Sequence, residues 1–214
     1  MKSVERDNVH PLVEGPTPDA GVVLSDGFVA LRPWRANDAA AVCEACQDPQ
    51  IARHTYVPQP YTLADAEGFI AACTAAGAGA AACTAAGAGA CTAARLNGSS
   101  AAGFAIVDPV TDQVLGSMSR PALDGHRASF GYWLAPAARG RGVATRALCL
   151  IADWTLATTD AIRLELYTDL DNPASGRVAE RAGFTREGIR RAWDIGRDGQ
   201  PIDVIFYVRV RETA

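Results

Sequence analysis

The sequence predicts a mixed sheet with helices on its faces, in the α+β or α/β class. Three observations carry this prediction. Period-two alternations and period-3.6 apolar faces follow one another as strand, helices, three strands, helix, strand, helix and two strands. The stretch from Gly131 to Leu148 reads as a strand, a glycine-rich turn and a helix. The chain has 214 residues, 49% of them hydrophobic, which is enough for one domain with a substantial core.

Residues 1–24 carry Pro11, Pro16 and Pro18, several charges and little periodicity, and read as a flexible arm, or at best an added strand, before a single domain over 25–212. Gly27 to Arg32 is a first strand, with Phe28, Ala30 and Arg32 alternating against Val29 and Leu31, and Pro33 ends it. Asn37 or Asp38 can cap a helix through about Gln47. Asp48-Pro49 breaks it, and a short helical segment follows at Ile51 to His54. Pro58 and Pro60 enforce an extended connection. Thr62 caps the next helix, with Asp65 in its first turn and Leu63, Ala66, Phe69, Ile70 and Cys73 on its apolar face.

That helix is expected over about 62–76, where it runs into a direct repeat. Ala71 to Ala80 reads AACTAAGAGA, residues 81–90 repeat it letter for letter, and Cys91 to Ala94 begin a third copy. Ten residues is too short for a solenoid unit. Each glycine costs about 1 kcal/mol inside a helix. The repeat therefore reads as a duplication and a loosely held excursion over about 71–100, away from the function.

Regular patterning then resumes. Gly103 to Val107 and Val114 to Ser119 form a hairpin about the Asp108 to Asp112 turn. Asp124-Gly125 turns into a strand from Arg127 to Leu134. Ile162 to Thr168 is a strand with Ile162, Leu164 and Leu166 on one face and Arg163, Glu165 and Tyr167 on the other. Asn172 is a good N-cap with Pro173 at the first helical position, and that helix ends at Gly183. Phe184 to about Ile195 and Ile202 to Val210 are the last strands, joined through the turn Arg197-Asp198-Gly199.

The Gly131 to Leu148 stretch organises the rest. Phe130, Tyr132 and Leu134 alternate with Gly131 and Trp133, and Pro136 stops the strand. Arg139-Gly140-Arg141-Gly142 has two glycines, which allow a tight turn and close approach of a ligand. Val143, Ala147, Leu150, Ile151 and Trp154 then fall at helical spacing. A helix N-terminus presents unpaired N–H groups and partial positive charge, and two arginines add to it. This is a site for a phosphate or pyrophosphate, each charge-assisted bond contributing about 1.5–3 kcal/mol. The competing reading is a plain connection with two solvated arginines. The pattern is not a Walker loop, which needs a following Lys-Ser or Lys-Thr, and Thr145 stands where G-x-G-x-x-G needs its third glycine.

Net charge is −4 and pI about 5.4, which excludes a general nucleic-acid binder. Basic character is local and almost wholly arginine, since Lys2 is the only lysine. Of six cysteines, Cys43-x-x-Cys46 has no second Cys/His pair, so no metal or redox role is expected. No apolar run approaches a membrane span, and a cytoplasmic protein is expected.

Four blocks carry a resemblance to a known family: Leu31-Arg-Pro-Trp34 with Asn37-Asp38, Gly131-Tyr-Trp-Leu134, Arg139-x-x-Gly142-x-Ala144, and Asn172-x-x-Ser175 with Ala182-Gly-Phe184. Over about 25–212 the chain resembles the GNAT superfamily of acyl-CoA-dependent N-acyltransferases, and within it the Rim type, named for acetylating ribosomal-protein N-termini. The resemblance implies a central, mostly antiparallel sheet and acetyl-CoA as the acyl donor. The loop at Arg139 and Gly140 would lead the backbone N–H groups of Arg141, Gly142, Val143, Ala144 and Thr145 onto the diphosphate, with the Arg139 side chain reaching the phosphates. The strand at Trp133 and Leu134 would bond the pantetheine amides. Asn172 and Ser175 would lie near the pantetheine arm and thiol. Competing readings are core packing for Trp133 and a plain N-cap for Asn172.

The implied reaction is direct attack of a neutral amine on the thioester carbonyl, polarised by a backbone N–H near Leu134. Presenting free amine at pH 7 costs about 1.4 kcal/mol for an α-amino group and about 4.6 for a lysine. Glu165 is the first candidate base, with a surface or packing carboxylate as the alternative. Rim-type chains often carry a Glu just before the Gly-Tyr-Trp segment, where this chain has Ser129 and Phe130. For the leaving thiolate, Ser175 is the first choice and Tyr167 the second. Cys149 reads as core, and His126 and His54 as polar surface residues. A catalytically silent acyl-CoA-binding or sensor domain, and transfer of a longer acyl group such as succinyl, stay open. The acceptor is a peptide N-terminus or a small-molecule amine, met by loops near 48–62 and 185–201 that carry no readable code. There Arg186, Arg190 and Arg191 with Asp194 either contact an acidic acceptor or form a solvated face. The resemblance also admits a homodimer.

Overall fold

The computed structural model describes residues 22–76, 103–119 and 122–212, so the expected arm up to residue 21 and the repeat from residue 77 lie outside the described residues. Two five-stranded sheets organise these residues. The first holds Leu24–Ser25 (β1), Ala30–Pro33 (β2), Gly103–Val107 (β3), Val114–Ser119 (β4) and Tyr132–Leu134 (β7), in the order β1-β2-β3-β4-β7. The second holds Ala122–Asp124 (β5), Arg127–Ser129 (β6), Arg163–Asp169 (β8), Thr185–Ile195 (β9) and Pro201–Val210 (β10), in the order β5-β6-β8-β10-β9. All pairings are antiparallel except β6 with β8, which is parallel.

Helices cover these sheets unequally. Val143–Thr158 (α4) and Pro173–Arg181 (α5) enclose the larger core, where Leu31, Ile106, Met118, Leu148, Ile151 and Leu164 are fully buried. Burying one such side chain contributes about 1.5–3 kcal/mol. Ala39–Ala45 (α1), Pro49–His54 (α2) and Leu63–Ala76 (α3) belong to a second core around Trp34, Val42, Ile51 and Ile70, against Ala30, Ala105 and Val107. The first sheet is thus sandwiched. On β8, Leu164, Leu166 and Thr168 are buried, while Arg163, Glu165, Tyr167 and Asp169 on the opposite face are only half-buried. That half-open face positions the site.

Local chemistry sets the boundaries. Thr62 and Asp65 form a reciprocal cap on α3: Asp65 N–H donates to Thr62 Oγ1 at 3.2 Å, and Thr62 N–H to Asp65 Oδ2 at 2.8 Å. Asp48 caps α2 by accepting the N–H groups of Gln50 and Ile51 at 3.0 Å each. Asp38, expected as a cap on the helix, instead closes a capping box on the preceding 3-10 turn, accepting the Arg35 N–H at 2.8 Å. Its carboxylate takes two bonds from the buried Arg32 guanidinium, at 2.8 and 2.9 Å. A 3-10 turn at Ala36–Asp38 precedes α1, which starts at Ala39 and stops at Ala45. Ile162 lies outside β8 and is exposed, because the strand starts one residue later. Among the described residues no helix is long and apolar enough to cross a membrane.

The single strand expected over Arg127 to Leu134 is two strands in two sheets. Phe130 N–H donates to Glu165 O on β8 at 3.1 Å. One residue later, Gly131 N–H donates to Ser119 Oγ at 2.7 Å, and Gly131 O accepts from Ser119 N–H at 2.8 Å. The chain changes partners between Phe130 and Gly131. The alternation of side chains runs through the change unaltered, so periodicity does not reveal it.

Candidate active site

This change of partner opens a gap. Beyond the Ser129–Glu165 pair, β7 follows β4 while β8 follows β10, and no strand lies between β7 and β8. Gly116 lets β7 approach β4 closely: a Cβ there would collide with Trp133 O and come within 3.1 Å of Leu134 Cα. Trp133 packs against the second core and Leu134 against the first, so their side chains anchor β7. Thr168 Oγ1, on β8 beside the gap, is buried without a hydrogen-bond partner. A buried hydroxyl left unpaired costs about 1–3 kcal/mol.

At the far end of β7 the chain turns through Pro136–Ala138 into the glycine loop. Gly140 and Gly142 have φ of +72° and +79°, a left-handed backbone that side chains disfavour. A Cβ at either position meets nothing within 4 Å. The first turn-closing bond of α4 runs from Arg146 N–H to Gly142 O at 3.1 Å. The N–H groups of Gly142, Val143, Ala144 and Thr145 therefore precede the hydrogen-bonded ladder. Val143 and Ala144 bury their side chains in the core, which fixes the direction of those donors. Four convergent donors at the positive end of a sixteen-residue helix suit an anion.

Arg139 does not point freely into that space. Its guanidinium donates to Asp48 Oδ1 at 2.7 Å, to Leu134 O at 3.1 Å and to Gln50 Oε1 at 3.0 Å. It ties the loop to the N-terminus of α2 and holds the Asp48 carboxyl below the usual carboxylate range. Arg141, in contrast, is exposed.

Across the gap, Asn172 Oδ1 accepts the Ser175 N–H at 3.2 Å and caps α5. The Tyr132 phenol donates to Ser175 Oγ at 3.0 Å. Burial pushes Tyr132 up to about 12, only partly opposed by that hydrogen bond, so the phenol stays protonated at neutral pH. Tyr132 was legible in the sequence only as an alternating strand residue. Its pairing with a helix forty-three positions away leaves no local signal.

Glu165 and Tyr167 lie on the other face of β8, lining a pocket of about 140 Å³ with Ser129, Arg190, Trp193 and Phe206. One Glu165 oxygen accepts from Arg163 Nε at 2.9 Å, and the rest of that guanidinium grips Glu187 at 2.8 Å twice. Tyr167 donates to Asp194 Oδ2 at 2.9 Å; burial, then the Asp194 charge, push its phenol far up. The three candidate catalytic residues thus fall into two groups: Ser175 sits with Tyr132 in the gap, while Glu165 and Tyr167 line the pocket, and Tyr167 bonds Asp194, not Ser175. Trp193 and Phe206, unremarked in the sequence, form an aromatic wall with ring centroids 5.0 Å apart, and the Arg190 guanidinium lies 3.7 Å over Phe206. Cys46 is buried in the second core with its thiol pushed up to about 12, and Cys149 is half-buried against the first. His126 is exposed; His54 is half-buried and bonded to Asp169.

Comparison with known proteins places this geometry. The Bacillus subtilis protein named "Probable N-acetyltransferase YjcK" is 34% identical over 102 residues, covering 45% of this chain and 55% of the relative. The ribosomal-protein-serine acetyltransferase of Escherichia coli is 29% identical over 101 residues, covering 46% and 56%. The chain thus spans a little over half the length of these two curated relatives. A solved RimL ribosomal L7/L12 alpha-N-protein acetyltransferase in complex with coenzyme A superposes with a TM-score of 0.67 at 19% identity, covering 88% of this chain and 98% of that one. The glycine loop and the strands β7 and β8 that flank the gap lie within residues 29–185, and that span matches the model of the acetyltransferase (GNAT) domain, so the chain belongs to this acetyltransferase family.

Proposed function

We propose that the protein transfers the acetyl group of acetyl-CoA to a primary amine, and that the amine is the α-amino group of a protein N-terminus. The observation that carries this reading is the continuity of three features: free donors at the α4 N-terminus, an open gap between β7 and β8, and the Tyr132–Ser175 pair at its inner end. The relatives named for ribosomal-protein serine and alpha-N-protein acetylation support the choice of amine.

The donor's diphosphate would rest on the N–H groups from Arg141 to Thr145, with the Gly140 turn keeping space clear. Arg141 would add charge. Arg139 would have to leave Leu134 O to reach a phosphate, and it acts first as a tie to α2. The pantetheine would run along β7 at Trp133 and Leu134. Asn172 would hold Ser175 in place through the cap.

The amine nitrogen attacks the thioester carbonyl, the C–N bond forms, and the C–S bond breaks with its electron pair on sulfur. A thiol titrates near 8.5, and Tyr132 near 12, so full proton transfer from the phenol would be uphill by roughly 5 kcal/mol. Tyr132 instead polarises Ser175, whose hydroxyl hydrogen-bonds the departing sulfur, and water supplies the proton. Glu165 would attract the cationic amine into the pocket beside the Trp193–Phe206 wall.

Thiol release tests the reading, with acetyl-CoA and a panel of serine-, alanine- and methionine-initiated peptides alongside small-molecule amines. Acceleration by a peptide whose α-amine then carries the acetyl group is the expected result. Tight coenzyme A binding with no acceleration by any amine would leave a binding domain instead.

A further inference from the structure

The short helix α2 crosses the mouth of the gap and is anchored on both sides. At its start Asp48 holds Arg139 of the glycine loop. At its end Arg53 pairs with Asp171, and His54 Nδ1 lies 2.8 Å from Asp169 Oδ2. From the β9–β10 turn, Arg197 donates to the carbonyls of Ala52, Thr55 and Val57 at 2.7, 2.8 and 2.5 Å. Tyr56 donates to Ile195 O at 2.8 Å. The segment from Asp48 to Val57 thus receives fixing contacts from three other parts of the chain, and His54 lies within it.

Asp169 stands on the same face of β8 as Glu165 and Tyr167, one two-residue step beyond Tyr167. Such a step is about 6.6–6.8 Å. Asp169 and Tyr56 both act electrostatically on the Tyr167 phenol, which places these groups around one opening. Three residues after Asp169 comes Asn172, the cap that holds Ser175. His54 therefore stands at the end of β8 that leads into the Asn172 cap of α5.

An ionised carboxylate only accepts, so the hydrogen in the Asp169 bond belongs to Nδ1 of His54. The neutral ring then carries its lone pair on Nε2. Among the described residues nothing hydrogen-bonds Nε2, and the side chain keeps 21% of its exposure. The other groups on this face are engaged: Glu165 with Arg163, Asp194 with Tyr167, and Asp171 with Arg53.

We propose that His54, its tautomer and orientation set by Asp169, accepts the proton that the amine sheds as it attacks the thioester. The step builds on the acetyl-transfer reading. The nitrogen–carbon bond forms, the amine proton moves to His54 Nε2, and the C–S electron pair leaves on sulfur. The imidazolium, facing Asp169 and the more distant Asp171, with Arg53 paired to that same Asp171 and Arg197 bonded to the carbonyls of Ala52, Thr55 and Val57, then returns its proton to water. Asp169 is a positioning residue in this scheme.

The test is the pH profile of kcat/KM with acetyl-CoA and a short peptide bearing a free N-terminal serine, with the panel's best amine as second acceptor. H54Q is expected to lower kcat roughly a hundredfold near neutrality. It should also abolish the part of the acid limb that the acceptor amine's own ionisation does not supply. D169N should lower kcat about tenfold and move that limb, and added imidazole should partly restore H54A. Coenzyme A affinity should stay within twofold in all three. An H54Q enzyme whose acid limb is unchanged from wild type, or that loses turnover together with coenzyme A affinity, would overturn the role. A wild-type enzyme that turns over no amine would overturn the proposed function itself, and this role with it.

Discussion

Tyr132 on β7 and Ser175 on α5 are joined by a 3.0 Å hydrogen bond across the gap where the two sheets part. Among the described residues no strand pairing joins β7 to β8, so this contact is one of the bridges between the halves of the proposed site. Y132F removes the donor and leaves the ring. It is expected to lower kcat roughly ten- to a hundredfold while coenzyme A affinity changes little. S175A should do the same, and the double variant should be no worse than the poorer single one. Steady-state kinetics and a coenzyme A titration check this.

The glycine loop gives a separate readout. In G142V the new side chain meets no protein atom, but it demands a left-handed backbone and fills the space before the α4 donors. The strain is about 1–2 kcal/mol, too little to unfold the domain. Coenzyme A binding by calorimetry should be lost while thermal unfolding stays cooperative. Unchanged affinity would remove the loop from the donor site.

Gly176 of α5 sits against the phenol of the buried Tyr207, where a Cβ would collide with Tyr207 Oη. G176A is expected to destabilise by about 1–3 kcal/mol, since neither element can retreat. The displacement of α5 should also weaken the Tyr132–Ser175 contact. Thermal denaturation and kcat should therefore fall together, unlike in Y132F.

Asp48 links stability to acidity. Arg139 and the two cap bonds hold its folded carboxyl below its ordinary value. The resulting stabilisation is present above about pH 4 and fades as pH falls through the lower folded value. D48N should therefore reduce stability at neutral pH and flatten its acid dependence. Urea melts at several pH values check the sign.

Acceptor binding should depend on the aromatic wall. W193A is expected to raise KM for the peptide several-fold with KM for acetyl-CoA unchanged, since Trp193 lines the pocket and makes no contact with the glycine loop. E165Q should act likewise, and mainly on cationic acceptors.

Local chemistry explains which parts of this account were readable in advance. The Thr62–Asp65 box, the Asn172-Pro173 cap and the Gly140/Gly142 turn each depend on residues within a few positions, and each appears where the spacing placed it. The exchange of partners at Phe130–Gly131 depends on Ser119 and Glu165, from two separate strands, and no window of sequence contains it. The same holds for Arg139, whose choice of Asp48 over open space is set by how α2 crosses the gap. His54 and Tyr132 gained partners at separations of 115 and 43 residues, which made one look like surface and the other like packing.

The central claim is acetyl transfer from acetyl-CoA to a peptide α-amine. Its most direct test incubates the purified protein with acetyl-CoA and a mixed library of free-amine peptides and small amines, and identifies products by fragmentation mass spectrometry. The account predicts acetyl groups on N-terminal amines, dependent on protein and abolished by G142V. Acetyl groups confined to lysine side chains or small amines, or no acetylated product from a protein that binds coenzyme A, would contradict it.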